Sequence, residues 1–248
     1  MPLNPSSPTV ILFSRSPKDE SAKSRLRKTL PDYFINQLHY AFVFDSVTVL
    51  KEIMQQATVT CSWDVNSEPE LDSLIDLLPD ADHCVQVGAS FADKLTHALR
   101  AERDKKLGAL IVIGSDCPLL SPDILLEAIE ATLSGNLVIG PAPQGGFYLL
   151  GLPPKSEVRD FREILSHSLE VLSLREAYKS LPLYTLPYLY DIDLEEDLVS
   201  LIAELRLREE MENELTGKSW IPAATRNLLQ NVQINTEQDT RDKKLVVE

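Results

Sequence analysis

The 248-residue sequence is poor in cysteine and in basic residues, and it contains no long apolar run. Three cysteines, none in a Cys-x-x-Cys pair, argue against a disulfide framework or a structural zinc site and favour a reducing compartment. With 24 basic and 38 acidic residues, the net charge of −14 disfavours binding to nucleic acid or to an anionic membrane. The first apolar run, residues 10–13, is too short for a signal peptide, and nowhere do about 18 apolar residues run together. We therefore expect a cytoplasmic protein without a membrane span.

The rest of the composition, 44% hydrophobic and 25% charged residues, is that of a globular protein. Apolar segments predict strands at residues 9–13, 109–113, 137–139 and 147–150, and residues 58–63 are rich in strand-forming residue types. Helical patterns occupy residues 21–30, 32–53, 90–103 and a segment that begins at Ser121-Pro122, with Asp32 and Ser121 as candidate caps. This alternation predicts an α/β fold in which helices cover both faces of a mostly parallel sheet.

Apolar periodicity fades from Thr216 onward, and residues 235–244 are almost wholly polar. We therefore predict a single domain over residues 1–217 and a largely flexible C-terminal extension over residues 218–248.

The segment after the first predicted strand, residues 14–25, contains the basic pair Lys23 and Arg25. Ligands of an open parallel sheet bind outside the carboxyl ends of the strands, where a helix N-terminus favours phosphate. Positions two apart do not share a helical face, so both side chains reach one ligand only if the segment is partly extended. The alternative interpretation is two solvated residues on a surface helix.

Asp116, in Gly114-Ser115-Asp116-Cys117-Pro118, follows the apolar strand predicted at residues 109–113. The next helix already has its cap in Ser121, so Asp116 is not required for capping. A carboxylate at a strand's carboxyl end suits Mg²⁺ or Mn²⁺ bound against a diphosphate. The alternative is an Asp that stabilises a turn through nearby amides.

Three further features are ambiguous. Asp193, three residues before Glu196, has the spacing of a helix-capping pair, which leaves Asp191 as the freer carboxylate. The pair Gly145-Gly146 allows close approach of a ligand, but a tight turn explains it equally well. Asp45 lies on an apolar helical face, so it needs a partner, for which Lys23 or Arg25 is the candidate.

The order of these motifs resembles that of a family of glycosyltransferase-A-fold proteins of unknown function, related to molybdenum-cofactor and phospholactate guanylyltransferases. The resemblance extends from about Val10 to Leu198. The matching segments are residues 10–13, Lys23-Ser24-Arg25-Leu26, Asp45, Gln86, residues 91–95, residues 114–118, Gly140-Pro141, residues 144–151, and Asp191, Asp193 and Asp197. The resemblance implies a fold like that of nucleotide-diphospho-sugar transferases, with a nucleotide crevice at the carboxyl ends of the strands.

The function that this resemblance implies is glycosyl transfer from a nucleotide sugar to a small-molecule acceptor. Phosphate-binding positions are then Ser14, Lys23, Arg25, Gly114 and Ser115. The expected cofactor, Mg²⁺ or Mn²⁺, takes Asp116, Asp191 and Asp193 as ligands, and Asp116 and Gln144 occupy the catalytic positions. The substrate pocket is bordered by Gly145, Gly146 and Tyr148.

Two departures from the family pattern keep other functions open. No glycine precedes Lys23 in the basic segment, and Gln144 stands where the family has Asp. Gln can neither carry negative charge nor act as a base. The alternatives are nucleotidyl transfer from a nucleoside triphosphate and a nucleotide-binding protein without turnover.

Overall fold

The computed structural model describes residues 7–65, 68–105, 107–166, 169–214, 220–236 and 243–247. The strands are β1 (Thr9–Arg15), β2 (Thr58–Asp64), β3 (Asp82–Val85), β4 (Leu110–Ile113), β5 (Leu137–Pro141), β6 (Phe147–Leu152), β7 (Leu183–Thr185), β8 (Gln233–Thr236) and β9 (Lys243–Val246). The helices are α1 (Asp32–Ile53), α2 (Glu68–Ile75), α3 (Phe91–Lys105), α4 (Pro122–Leu133), α5 (Phe161–Ile164), α6 (Glu170–Ala177), α7 (Glu195–Glu214) and α8 (Ala223–Leu229). None of the helices in these ranges is long and apolar enough to cross a membrane.

Seven strands of the described chain form one sheet in the order β3-β2-β1-β4-β6-β5-β7. Strands β1 to β4 run parallel, β6 is antiparallel to both β4 and β5, and β7 is parallel to β5. The fold is therefore α/β with a mixed, mostly parallel sheet.

Alternate residues of β1 point into two cores, one on each face of the sheet. Val10 and Leu12 join the larger core, formed with α1, α4 and α7, whereas Ile11 and Phe13 join a smaller core with α3, α5 and α6. A strand covered on both faces needs apolar residues at every position. The apolar run of β1 follows from this, and the prediction of helices on both faces is confirmed.

Two predicted helix starts have different outcomes. Ser121 caps α4, because its Oγ accepts a hydrogen bond from the Ile124 amide at 3.2 Å. Asp32 does not cap α1. It is the first helical residue, after Pro31, and its carboxylate instead pairs with Arg27 at 3.0 Å. The helix predicted over residues 21–30 is a series of turns with one short 3₁₀ segment, Leu26–Lys28.

The C-terminal segment differs from our expectation of a largely flexible extension. In the described part of residues 218–248, α8 packs on α1, and β8 pairs with β9 in an antiparallel hairpin.

The partner predicted for Asp45 was also wrong. Its carboxylate accepts hydrogen bonds from the amides of Ala224 (2.9 Å) and Thr225 (2.8 Å), not from Lys23 or Arg25. The first amides of a helix lack intrahelical acceptors, so a buried carboxylate satisfies them.

Candidate functional site

A cleft of about 630 Å³ opens where β1 and β4 end, at the point where the strand order reverses. Chain connections lead from β1 toward β3 on one side and from β4 toward β7 on the other, so the loops diverge here and leave a crevice. Ser14 and Ser115 meet across this point, with their hydroxyl oxygens 2.8 Å apart. The structure thus brings together Ser14, Ser115 and the adjacent Gly114, all of which line the cleft.

The basic segment reaches the same cleft through a series of turns. Asp19 organises these turns by accepting hydrogen bonds from the Ser21 amide (2.8 Å) and from Arg15 (3.0 Å). Lys23 adopts a left-handed conformation with φ of 57°, which is rare for a residue with a side chain. This conformation lets both Lys23 and Arg25 face Asp193, although they are only two positions apart.

Lys23 lies between two carboxylates. Its Nζ is 3.0 Å from Asp116 Oδ2 and 3.3 Å from Asp193 Oδ1, and its side chain is only 3% exposed. Arg25 is more than half exposed, and its Nη1 lies 3.5 Å from Asp193 Oδ2. The segment that carries Asp193 is held against the end of β4 by a hydrogen bond of 3.0 Å from the Ile192 amide to the Asp116 carbonyl.

The surroundings of Asp116 keep its carboxylate ionised. Burial raises the pKa of Asp116, but the charge of Lys23, the nearby His39 and the Lys23 hydrogen bond together bring it below its ordinary value. Burial lowers the pKa of His39 and outweighs the opposing attraction of Asp116. Burial thus favours the neutral imidazole, and Lys23 is the positive charge in direct contact with Asp116.

Two other carboxylates line the cleft. Burial raises the pKa of Asp191, and the like charges of Asp193 and Asp116 add to the shift. Burial also raises the pKa of Glu170, with a further contribution from Asp191. Both groups therefore hold a proton more readily than an ordinary carboxyl group.

Asp193 is not the side chain that caps α7. Asp197 Oδ2 accepts hydrogen bonds from the amides of Asp193 (3.0 Å) and Leu194 (2.8 Å), so the reciprocal pairing predicted between Asp193 and Glu196 is replaced. This leaves the carboxylate of Asp193 available to the basic segment.

The carboxylates predicted as metal ligands do not form a metal site in this arrangement. Among the residues that the structure describes, no three His, Cys, Asp or Glu side chains are grouped so that they could hold a metal ion. The Lys23 ammonium lies between Asp116 and Asp193, and it cannot share that place with a divalent cation. The donor set thus does not fit Mg²⁺ or Mn²⁺ as it stands, and no step below is assigned to a metal.

The structure separates part of the predicted substrate pocket from the cleft. Gln144 is exposed in a left-handed conformation (φ 58°) and does not line the cleft, and neither do Gly145 and Gly146. The start of α6 covers the glycine pair: a Cβ at Gly145 would lie 2.7 Å from Leu169 Cδ2, and one at Gly146 would lie 3.8 Å from Glu170 Oε2. The tight-turn alternative for the glycine pair is the one observed, and Gln144 does not meet Asp116.

Tyr148 does reach the cleft wall. Its ring packs under Gly140, and its hydroxyl donates a hydrogen bond to the Pro187 carbonyl at 2.9 Å. It is a buried part of the wall rather than a free polar group.

Residues 48–166 match the model of a family described as "Uncharacterized protein conserved in bacteria (DUF2064)". These residues are just under half of the chain, and over them it is similar to the DUF2064 family. No curated protein matches the chain.

Several solved structures share the fold of this chain. A proposed nucleotide-diphospho-sugar transferase from Desulfovibrio desulfuricans G20 is 21% identical, with a TM-score of 0.75 over 91% of this chain and 97% of that one. The 4-diphosphocytidyl-2C-methyl-D-erythritol synthase of Anaerococcus prevotii DSM 20548 is 11% identical, with a TM-score of 0.54 over 82% of this chain and all of that one. A mycobacterial homologue of Rv0371c from strain JC1 is 12% identical, with a TM-score of 0.50 over 83% of this chain. The fold is therefore that of nucleotide-diphospho-sugar transferases.

Four residues that we did not assign from the sequence shape the site: Gln86, Phe91, His39 and Glu170. Gln86 donates hydrogen bonds from Nε2 to the carbonyls of Ser14 (3.2 Å) and Ser62 (2.9 Å), so it ties together the ends of β1 and β2. Phe91, the first residue of α3, is 59% exposed at the cleft and packs edge-on against Phe13. Gln86 and Phe91 lie in motifs that carry the family resemblance, whereas nothing in the local sequence singles out His39 or Glu170.

The site combines residues inside and outside the segment that matches the DUF2064 model. Asp116, Ser115 and Gln86 lie within it, whereas Ser14, Lys23, Arg25 and Asp193 lie outside it. The cleft therefore requires residues from outside the matched segment as well as residues from within it.

Proposed function

We propose that the protein is a transferase that binds a nucleotide diphospho-sugar in the cleft between β1 and β4 and transfers its glycosyl group to a small acceptor. One observation carries this proposal. Lys23 and Arg25 converge with Asp116 at the carboxyl edge of the sheet, inside a cleft of about 630 Å³, a volume suited to a ligand of this size. The likeness in fold to a proposed nucleotide-diphospho-sugar transferase supports it.

The chain's residues suggest how such a donor is bound. Arg25 offers exposed guanidinium donors, which suit the two oxygens of a phosphate. Backbone can approach a ligand closely at Gly114, where an added Cβ would meet only the Asp116 amide, at 4.0 Å. The exposed ring of Phe91 provides a face on which a nucleobase can stack.

Transfer forms a bond between a nucleophilic atom of the acceptor and the sugar carbon C1 and breaks the bond between C1 and the diphosphate oxygen. The electron pair of the broken bond leaves with the nucleoside diphosphate, and the acceptor's proton passes to solvent. Fixed positive charge near that oxygen stabilises the transition state, because it requires no reorganisation as the charge develops. In this cleft Lys23 and Arg25 supply the charge, and Asp116 and Asp193 hold Lys23 in place.

Nucleotidyl transfer is the second candidate, favoured by the likeness in fold to a 4-diphosphocytidyl-2C-methyl-D-erythritol synthase. It uses the same cleft and the same cations, but the nucleotide is transferred and pyrophosphate leaves. A nucleotide-binding protein without turnover is the third. Gln144, which motivated it, lies outside the cleft lining.

Thermal unfolding in the presence of nucleoside triphosphates, diphosphates and nucleotide sugars tests the proposal. A ligand present at about 100 times its Kd adds roughly 2.7 kcal/mol to the free energy of unfolding, or about 5–10 °C in Tm for a chain of this size. We expect such a shift with a nucleotide sugar in the wild type and its loss in Asp116→Ala. The exposed Asp76 lies away from the cleft, so Asp76→Ala is the matched control and should keep the full shift.

Product analysis then separates the candidates. Released nucleoside diphosphate supports glycosyl transfer, and released pyrophosphate supports nucleotidyl transfer. Binding without any product supports the non-catalytic alternative. A shift that is equally large in Asp116→Ala would contradict the site.

A further inference from the structure

The ammonium group of Lys23 lies between two carboxylates, in the place that a bound cation would take. Its ammonium contacts carboxylates from two separate segments, one after β4 and one before α7, at 3.0 and 3.3 Å. Both carboxylates remain partly exposed, by 46% and 39%, whereas the lysine side chain between them in the cleft wall is only 3% exposed. Burial of a lone ammonium costs several kcal/mol, so these two anions are what make the position tenable.

Groups around Lys23 fix it in this place. The ring of Phe42 in α1 lies 5.8 Å from Nζ, within the range of a cation–π contact. The preceding residue, Ala22, is buried, and its carbonyl accepts a hydrogen bond of 2.7 Å from Arg27 Nε. The left-handed backbone at Lys23 then directs the side chain inward. The ammonium is therefore held by its surroundings on several sides.

Two carboxylates that share one cation are also how proteins commonly begin a divalent-metal site. Here the shared cation is part of the chain. A metal ion between Asp116 and Asp193 would have to displace the Lys23 ammonium, leaving a buried positive charge beside a divalent one.

We propose that Lys23 is the resident cation of this site: it fills the place between Asp116 and Asp193 that a divalent ion would take, and the protein binds the diphosphate of its ligand without a metal. The first part, that Lys23 takes the place of a divalent ion, concerns the protein alone. The second part, that the diphosphate is bound without a metal, rests on the proposed function.

Titration calorimetry with Mn²⁺ alone tests the first part. We expect the wild type to bind Mn²⁺ at Asp116 with a Kd of about 1 mM or weaker, and Lys23→Met to bind it at least about tenfold more tightly. In that variant Asp116 loses its lysine partner, and Asp193 keeps only its contact with the exposed Arg25. Asp116→Asn added to Lys23→Met should remove that gain. Lys28, an exposed lysine in the 3₁₀ segment that follows, provides the matched control, and Lys28→Met should behave like the wild type.

Two results would overturn this part. One is a folded Lys23→Met variant that binds Mn²⁺ no better than the wild type. The other needs no Lys23 variant: wild-type binding with a Kd below about 0.1 mM that Asp116→Asn abolishes would show that the carboxylates hold a metal with the lysine present.

Nucleotide binding in EDTA and in Mg²⁺ tests the second part, with uridine and guanosine diphosphates as probes. We expect the Kd of the bound probe to agree within about twofold between the two buffers, and Lys23→Met to weaken binding in EDTA by at least about tenfold. A wild-type loss of about tenfold or more in EDTA would overturn metal-free binding. Failure of both probes to bind in either buffer would refute the proposed function and the second part with it, while the Mn²⁺ result would stand on its own.

Discussion

Two buried charged side chains, Asp45 and Lys23, are each neutralised by groups from the other end of the chain. Asp45 accepts hydrogen bonds from amides near residue 224, and Lys23 pairs with Asp193. A buried charge without a partner costs several kcal/mol, so such contacts hold distant segments together. Asp45 fixes α8 on α1, and Lys23 fixes the segment before α7 at the cleft.

Asp45→Ala should lower the free energy of unfolding by about 2 kcal/mol at pH 7, because two amides at the start of α8 lose their acceptor. Burial raises the pKa of Asp45 and outweighs the hydrogen bonds from Thr225 and Ala224. The folded protein thus binds this proton more tightly than the unfolded chain. The stability difference between wild type and variant should therefore grow as the pH falls from 7 toward 3.8, the ordinary pKa of the carboxyl group.

Urea unfolding of both proteins across this pH range measures the difference. The outcome that would speak against this account is a difference that shrinks on acidification, since that requires the ionised form to be favoured by folding. An unchanged free energy at pH 7 would show that Asp45 does not anchor α8.

At the scale of elements, residues at the edge of the sheet both pack neighbouring strands together and form the wall of the cleft. Gly140, near the end of β5, leaves room for the Tyr148 ring, which in turn forms part of the cleft wall. An added Cβ would lie 2.5 to 2.8 Å from three atoms of that ring, which is closer than nonbonded atoms approach. A glycine is therefore required at position 140 by the contact with Tyr148 of the neighbouring strand β6, and not by its own backbone conformation.

Gly140→Ala should cost about 1–3 kcal/mol, or roughly 3–10 °C in Tm, because Tyr148 must move and strain its hydrogen bond to Pro187. Gly114→Ala is the control. The added Cβ at Gly114 would come no closer than 4.0 Å to its nearest neighbour, the Asp116 amide nitrogen, so Tm should stay within about 2 °C of the wild type. Differential scanning calorimetry decides, and equal melting temperatures for the two variants would refute the packing argument.

The sequence predicts the elements that are buried and misses those that are not. The apolar runs of β1 and β4 are covered on both faces, and they are visible as continuous hydrophobic segments. β2 is also buried, but its apolar residues alternate with Thr and Ser, and it is recognised by its strand-forming residue types. Edge strands β3 and β7 are largely exposed, so they carry no such signal and were not predicted. Phe91 has the spacing of a core residue, but its position at the cleft leaves it exposed.

For the candidate site, the sequence predicts which residues follow which strands but not how they pair. Asp116, Ser14, Lys23 and Arg25 meet at one cleft, as expected from the carboxyl ends of parallel strands. Local spacing does not reveal that Lys23 lies between Asp116 and Asp193, because this depends on a left-handed backbone and on a segment 170 residues away. The covering of Gly145 and Gly146 by α6 is likewise a tertiary contact.

For the whole molecule, the charge is unevenly distributed. The net charge is −14, yet the cleft is lined by four basic and five acidic side chains and is nearly balanced. An anionic ligand is therefore repelled at long range and attracted only once it is near Arg25 and Lys23. Salt weakens the long-range repulsion more than the short-range attraction. The repulsion acts over distances beyond the Debye length, whereas contacts between buried charges are screened less.

The association rate constant of a nucleoside diphosphate should consequently rise, by about two- to tenfold, as ionic strength increases from about 10 to about 150 mM. Stopped-flow measurements with a fluorescent nucleotide analogue follow this rate directly. A rate that falls with added salt would mean that the local cations, and not the net charge, dominate the approach.

The central claim is that the cleft between β1 and β4 binds a diphosphate through Lys23 and Arg25. A crystal structure with the nucleotide that gives the largest thermal shift tests it most directly. We predict phosphate oxygens within about 4 Å of Lys23 Nζ and of the Arg25 guanidinium, at the ends of β1 and β4. Phosphates located elsewhere on the molecule, with both cations still paired only to Asp116 and Asp193, would contradict the claim.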